Sequence, residues 1–498
     1  MSRTYFVSTA IPYVNAEPHV GFAYELVLAD ILARHRRRRG DDVRFVSGTD
    51  DNSLKNVGAA AAEGVPTQVL VDRNAEVFRA LGPALGVAPD DFVRTSRDPR
   101  HRAAVAWLWS ACAARGDLYR RVWSGRYCLG CEAFVDDGVA VCAEHDAPPQ
   151  VVHEENWFFR LSRWREPLRE AIASGRLDVA PDWARAETLA FLDGEVRDLS
   201  VSRDAARAGD WGLRVPEDPG QVIYVWFDAL ANYLASLGLG GDDPALLDRY
   251  WHRGRRDHVI GKGITRFHAV YWPAFLLSAG LPLPDRILVH AYLTRDGRKI
   301  GKSSGGYPIG PLLDACGADG LRWYFARRCR TRGDADVDAA AACDAHDRDL
   351  VDKLGNLVQR CTALLGKLGG RVPARTGGGE LAAVAAELPA RVDAALAAFL
   401  PDEACAAIVG LLDAANREVD ATAPWRLART DPVAAAAALY APLEAARIAA
   451  AELAPFAPGI AGAISARLGD VGLSPGWGGL RPGAELPAGP PPLARRRA

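Results

Sequence analysis

Lysine is scarce in this sequence. The chain has six, Lys55, Lys262, Lys299, Lys302, Lys353 and Lys367, and arginine fills most other basic positions. A lysine kept against such a bias is a candidate for work that needs a compact ammonium. Lys299 and Lys302 fall together in the glycine-rich stretch GRKIGKSSGG. Net charge is nearly absent, at −2, which excludes a globally basic nucleic-acid binder and leaves room only for a local basic face. No run approaches 18 uninterrupted apolar residues, so no membrane span is expected. The N-terminus enters strand-like sequence with no charged region, apolar stretch or cleavage site of a leader, so a cytoplasmic location is the default expectation. Disulfide patterning is absent too. The nine cysteines are odd in number, and outside 128–142 their scatter suits reduced core thiols.

What is present suits a globular protein of several domains. With 498 residues, 49% hydrophobic and 24% charged, two to four domains are expected. Residues 4–10 read as a strand. Residues 19–38 read as an amphipathic helix, with Val20, Ala23, Val27, Ile31 and Leu32 on its apolar side. VRFVS at 43–47 reads as a second strand. This alternation predicts an α/β, Rossmann-like parallel-sheet domain, with ligands at the strand C-termini. Its first half spans 1–115. Residues 116–221, with cysteine pairs and aromatics, read as an insertion. The second half, 222–300, resumes with VIYVWFDALANYL, DHVIGKG and RILVHAYL. Residues 346–475 read as an α-helical bundle, and the Pro-rich 476–498 as a disordered tail.

Several short motifs carry chemistry. Cys128-x2-Cys131 and Cys142-x2-His145 form two pairs of soft ligands, the spacing of a tetrahedral, structural Zn²⁺ site. In NAEPHVGFAYE, His19 and Gly21 stand where a strand gives way to a helix. A helix N-terminus offers N–H groups and partial positive charge to a phosphate, although a surface histidine would give the same two letters. Lys299 and Lys302 could neutralise a triphosphate or form an ordinary exposed turn. Asp50 closes a strand, where it could hold an amino group or cap a helix. Trp226, Ala229 and Tyr233 offer an apolar wall or plain helix core. Arg36–Arg39 read as solvated cations at a helix C-terminus.

The order of these pieces is far more specific than any one of them. HVG after the first strand, paired cysteines in an insertion, WFDA, a KxxKS loop and then a helical bundle together resemble the class I aminoacyl-tRNA synthetases. The methionyl-tRNA synthetase family is the closest match. AIPYVNAEPHVGFAYE, RFVSGTD, YCLGCEAF, VWFDALANYL, HVIGKG, FHAVYWPAFL, DGRKIGKS, GNLVQR and APWRL carry the resemblance, which covers roughly residues 4–470. It implies ATP-dependent activation of methionine and transfer to tRNA(Met). The catalytic residues implied are His19, Lys299 and Lys302, with ATP contacts at His19, Gly21, Gly261, Lys299, Lys302 and Ser303. A methionine pocket is implied at Ile11, Tyr13, Asp50, Trp226, Ala229, Tyr233, Ile264 and His268. Anticodon readers are implied at Asn356, Arg360 and Trp425, one structural Zn²⁺ at Cys128, Cys131, Cys142 and His145, and Mg²⁺ with ATP. Residues 301–345 correspond to the lysine loop and a stem-contact region. The partners are then ATP, methionine and tRNA(Met), with no membrane or DNA partner and a monomer expected.

The sequence departs from the family pattern mainly on the ATP side. Phe22 replaces the second histidine of the family's HIGH motif. Gly263 replaces an acid resembling the ribose contact, GTDDNS stands where GTDEHG is frequent, and Ile300 and Gly301 vary the lysine loop. Losing one transition-state donor costs on the order of 3 kcal/mol. The retained His19 and lysines imply that adenylate still forms, slowly or with ATP held differently. Two other readings share this frame: a ligase passing activated methionine or an analogue to a small acceptor, and a catalytically weak tRNA-binding paralogue.

Overall fold

The structure is a computed structural model. It describes residues 3–128, 133–135, 138–142, 147–300, 307–487, 489 and 492–496. The chain divides into two compact units. One runs to Tyr292 and takes in Ile300 and Tyr307; the other holds Leu293–Lys299 and runs on from Pro308.

The first unit is built on a six-stranded, all-parallel sheet. Its strands are β1 (Thr4–Thr9), β2 (Asp42–Thr49), β3 (Asp91–Arg94), β4 (Asp178–Ala180), β5 (Arg255–Gly261) and β6 (Arg286–His290), in the spatial order β3-β2-β1-β5-β6-β4. Buried on both faces, strands of this kind read as nearly continuous apolar runs; β1 is TYFVST, and all but its first residue are buried. Tyr5, Asp257 and Arg286 staple the N-terminal ends of β1, β5 and β6. The Tyr5 hydroxyl donates to Asp257 at 2.8 Å and Arg286 Nε donates to the same carboxylate at 3.1 Å. That leaves the C-terminal ends of the central strands for ligands.

Helix α1 (Val20–Arg38) follows β1. The amphipathic expectation needs revision, because α1 is buried nearly all round, Glu25, Asp30 and His35 included. The 116–221 insertion is not a separate body either. Its hairpin Leu118–Cys128 with Gln150–Phe159 is antiparallel, but β4 comes from within it and pairs with β6 at the edge of the main sheet.

The second unit is mainly helical. Its principal helices are Gly310–Arg328, Asn356–Lys367, Gly379–Ala397, Pro401–Thr422, Tyr440–Leu453 and Pro458–Arg467. Pro432–Leu453 is apolar and long enough to cross a membrane, yet 67% of that window is buried in the protein, as in a core helix. The segment read as a disordered tail from 476 is instead packed. Glu444 and Arg447, both fully buried, form an ion pair. The Glu444 carboxylate accepts the N–H groups of Gly478, Gly479 and Leu480 at 2.7–2.9 Å. Arg447 donates to the carbonyls of Gly472 and Ser474. Two buried charges on a helix need those partners, and the chain after 470 supplies them.

Candidate active site

His19 is the N-cap of α1. Its Nδ1 accepts the Gly21 N–H at 3.0 Å, which puts the imidazole proton on Nε2 in the neutral ring. A Cβ on Gly21 would lie 2.9 Å from His19 Cε1, so glycine is what lets the ring fold over the helix start. The Val20 N–H donates to the Tyr307 carbonyl at 3.1 Å, bringing the chain just beyond the lysine loop back to this helix start. Phe22 points elsewhere. It is 7% exposed and packs on Phe78, with ring centroids 5.4 Å apart. The position that departs from the family motif has become core.

Glu25, one turn on from Phe22, gathers three strand ends. Its carboxylate accepts the Ala10 N–H at 2.7 Å and faces His290 Nε2 at 3.4 Å. The His290 ring would be 3.3 Å from a Cβ on Gly261. Sequence reasoning missed Glu25 and His290, and their only signal was a polar pair inside otherwise apolar segments. Gly263 is exposed in the turn just after β5.

The residues expected around methionine are brought together. Tyr13 and Asp50 form a parallel bridge, and the Asp50 N–H donates to the Pro12 carbonyl at 2.9 Å. Gly48 allows this end of β2 to approach its neighbours, since a Cβ there would sit 2.1 Å from the Val93 carbonyl oxygen and 3.1 Å from Ile11 Cγ2. Trp226 faces Tyr13 at 6.2 Å and His268 edge-on at 6.2 Å, and stacks on Phe267 at 3.7 Å. Its buried indole N–H has no partner among the described residues. Ala229 is buried in the same helix, Val225–Leu230.

Behind this wall lies a neutral polar network. Burial pushes the His268 imidazole down to about 4, and burial raises the Tyr233 phenol well above its ordinary value. The two groups are therefore uncharged near pH 7. His268 Nδ1 then donates to the Ile264 carbonyl at 3.1 Å, leaving Nε2 to accept the Tyr233 hydroxyl at 2.7 Å. His258, also held neutral by burial, accepts the Trp272 indole N–H on Nε2 at 3.2 Å and meets Ser8 Oγ through Nδ1 at 2.7 Å. The result is an uncharged aromatic pocket wall with two buried carboxylates, Glu25 and Asp50, both of which bear on the Tyr233 phenol. Such a pocket suits a polarizable apolar side chain that carries an ammonium.

Lys299 is exposed in the two-residue strand Arg298–Lys299 of the second unit. Gly301, Lys302 and Ser303 lie outside the described residues, as do Cys131 and His145. Cys128 ends the strand Leu118–Cys128, Cys142 is bridged to Ala147, and both thiols are buried. Thiols are soft-metal donors, and these two are the expected zinc ligands that fall among the described residues. In the second unit, Asn356 and Arg360 are exposed on one helix. Arg360 meets Asn416 at 2.9 Å and Asp420 at 3.4 Å near the end of Pro401–Thr422, and Trp425, 45% exposed, follows directly.

Comparison with known proteins decides the family. The sequence matches tRNA synthetases class I (M) over residues 5–146 and 138–362. The chain belongs to the methionyl-tRNA synthetase family. The methionine–tRNA ligase of Mycobacterium bovis is 39% identical, with 97% of this chain and 96% of that protein covered. That of Rickettsia conorii is 37% identical, covering 94% and 93%. The structure of Mycobacterium tuberculosis methionyl-tRNA synthetase in complex with methionyl-adenylate superposes with a TM-score of 0.92, at 37% identity and covering 99% of this chain and 100% of that one. Family membership agrees with the α/β architecture.

Proposed function

We propose that this chain is a working methionine–tRNA ligase. One observation carries the reading: Tyr13, Asp50, Trp226, Tyr233, Ile264 and His268, scattered over more than 250 residues of sequence, are joined around one uncharged aromatic pocket with a buried carboxylate. Asp50 holds the α-ammonium of methionine and the aromatic rings enclose its thioether. The methionine carboxylate oxygen attacks the α-phosphorus of ATP, the bond to the bridging oxygen breaks, and pyrophosphate leaves. The 3′-terminal adenosine hydroxyl of tRNA(Met) then attacks the acyl carbon and AMP leaves. His19, through Nε2–H, binds phosphate oxygens at the positive end of the α1 dipole, while Lys299 and Lys302 serve the triphosphate. The protein mainly positions the reactants and neutralises charge. Mg²⁺ bound with ATP would share that neutralisation.

Asn356, Arg360 and Trp425 are the proposed anticodon readers; Trp can stack a loop base and the other two can bond base edges. Cys128, Cys131, Cys142 and His145 would hold one structural Zn²⁺. The work belongs to translation, and a cytoplasmic monomer is the form we propose. The test is amino-acid-dependent ATP–pyrophosphate exchange across all common amino acids. Exchange with methionine supports the reading. Exchange with none of them leaves a tRNA-binding protein on a synthetase frame.

A further inference from the structure

Asp228 has no part in the chemistry above, yet it stands between two pocket residues, Trp226 and Ala229, in the helix Val225–Leu230. It is fully buried, and both carboxylate oxygens are occupied. His101 Nε2, from the helix Pro99–Ala114, bonds Oδ1, and Asn52 Nδ2 donates to Oδ2 at 2.7 Å. His101 is itself fully buried, and its Nδ1 has no hydrogen-bond partner among the described residues, so the carboxylate is what anchors the ring. Asn52 reaches the other way as well. Its backbone N–H donates to Asp50 Oδ1 at 3.1 Å. Asn56 pins the same turn by donating to the Asp50 and Asp51 carbonyls at 3.1 and 2.8 Å.

A buried carboxylate is costly to desolvate and contributes little net stability even when well partnered. Here the expense links three elements at one place. The Trp226 helix, the His101 helix and the turn bearing Asp50 are tied through a single side chain. The neighbouring Asp51 is neutralised by Arg94 at 2.9 Å, whereas no arginine or lysine pairs with Asp228 among the described residues.

We propose that His101, Asp228 and Asn52 form a positioning relay that fixes the Asp50 carboxylate in register with the Trp226 wall, and so sets affinity for the amino acid. The inference rests on the methionine-activating reading and deepens it. All three are positioning residues, since they act through Asp50 and Trp226. Asn52 stands where the family often has histidine, and an imidazole N–H could make the same donation to Asp228.

The experiment measures methionine affinity at equilibrium by calorimetry, without ATP, and then KM for methionine and for ATP in pyrophosphate exchange. Asn52→Ala should weaken methionine binding about tenfold or more while KM for ATP stays within about twofold. Asn52→His should recover most of that loss. His101→Gln, whose amide can still donate to Asp228, should also bind better than His101→Leu. Methionine affinity unchanged in Asn52→Ala, or a loss shared equally by methionine and ATP and not recovered by Asn52→His, would overturn the relay. Wild-type protein that binds methionine but catalyses no exchange overturns the functional reading, while the affinity ratios still decide the relay. Wild-type protein that binds no methionine overturns both.

Discussion

Phe22 and His19 sit three residues apart and do unlike things. His19 caps α1 and presents Nε2–H, while Phe22 fills the space beside Phe78. Phe22→Ala should therefore behave as a core deletion, costing about 3–5 kcal/mol in urea unfolding. Gly21→Ala should do the reverse. It drives the His19 ring from its place, so exchange should fall about tenfold or more with little loss of stability. The buried histidines make a separate prediction. Burial puts His268 at about 4 in the folded protein, against about 6.5 in the unfolded chain. Stability from keeping it neutral is complete above pH 6.5. As pH falls from 6.5 to 4 the unfolded chain binds the proton first, and on the order of 3 kcal/mol is lost. His258 shifts in the same direction. Urea midpoints followed from pH 7.5 to 4.5 should fall across this window, and His268→Gln should flatten the fall. At this scale the sequence was legible where a motif marks the residue, as at His19 and Asp50. Glu25, His101 and Asp228 were not legible, because a buried polar group inside an apolar helix acquires its meaning only from partners distant in sequence.

Elements were readable where they are long and periodic. β1, α1, β2, β5 and β6 all follow from apolar runs and strand-to-helix alternation. β3 and β4, of four and three residues, were hidden, since so short a segment carries too little alternation to stand out. The start of the segment 476–498 was misread for a different reason. Its proline and glycine suggested disorder, but the Glu444–Arg447 pair sits on another helix and needs the backbone groups of 472–480. Removing the chain beyond Asp470 takes away the backbone partners of both charges and leaves the pair only each other. The truncated protein should lose about 3–5 kcal/mol, and Glu444→Gln in the full chain should be destabilising as well. A truncation with an unchanged urea midpoint would show that the segment is dispensable.

At the scale of the whole molecule, the residues proposed to hold methionine and those proposed to read the anticodon fall in different units, so the two roles should separate experimentally. Arg360→Ala and Trp425→Ala should weaken tRNA(Met) charging, each by about tenfold in kcat/KM, with methionine-dependent exchange unchanged. A fall in exchange would mean these residues support the fold and do not read RNA. The small-acceptor reading shares the activation step and differs only in where the acyl group goes. The most direct measurement of the account is therefore aminoacylation of tRNA(Met) by the purified chain with ATP and radiolabelled methionine, run beside His19→Ala. The account predicts that methionine becomes attached to the tRNA with Phe22 in place, and that His19→Ala slows the reaction about a hundredfold or more. Pyrophosphate exchange with no transfer to tRNA, or charging indifferent to His19, would contradict it.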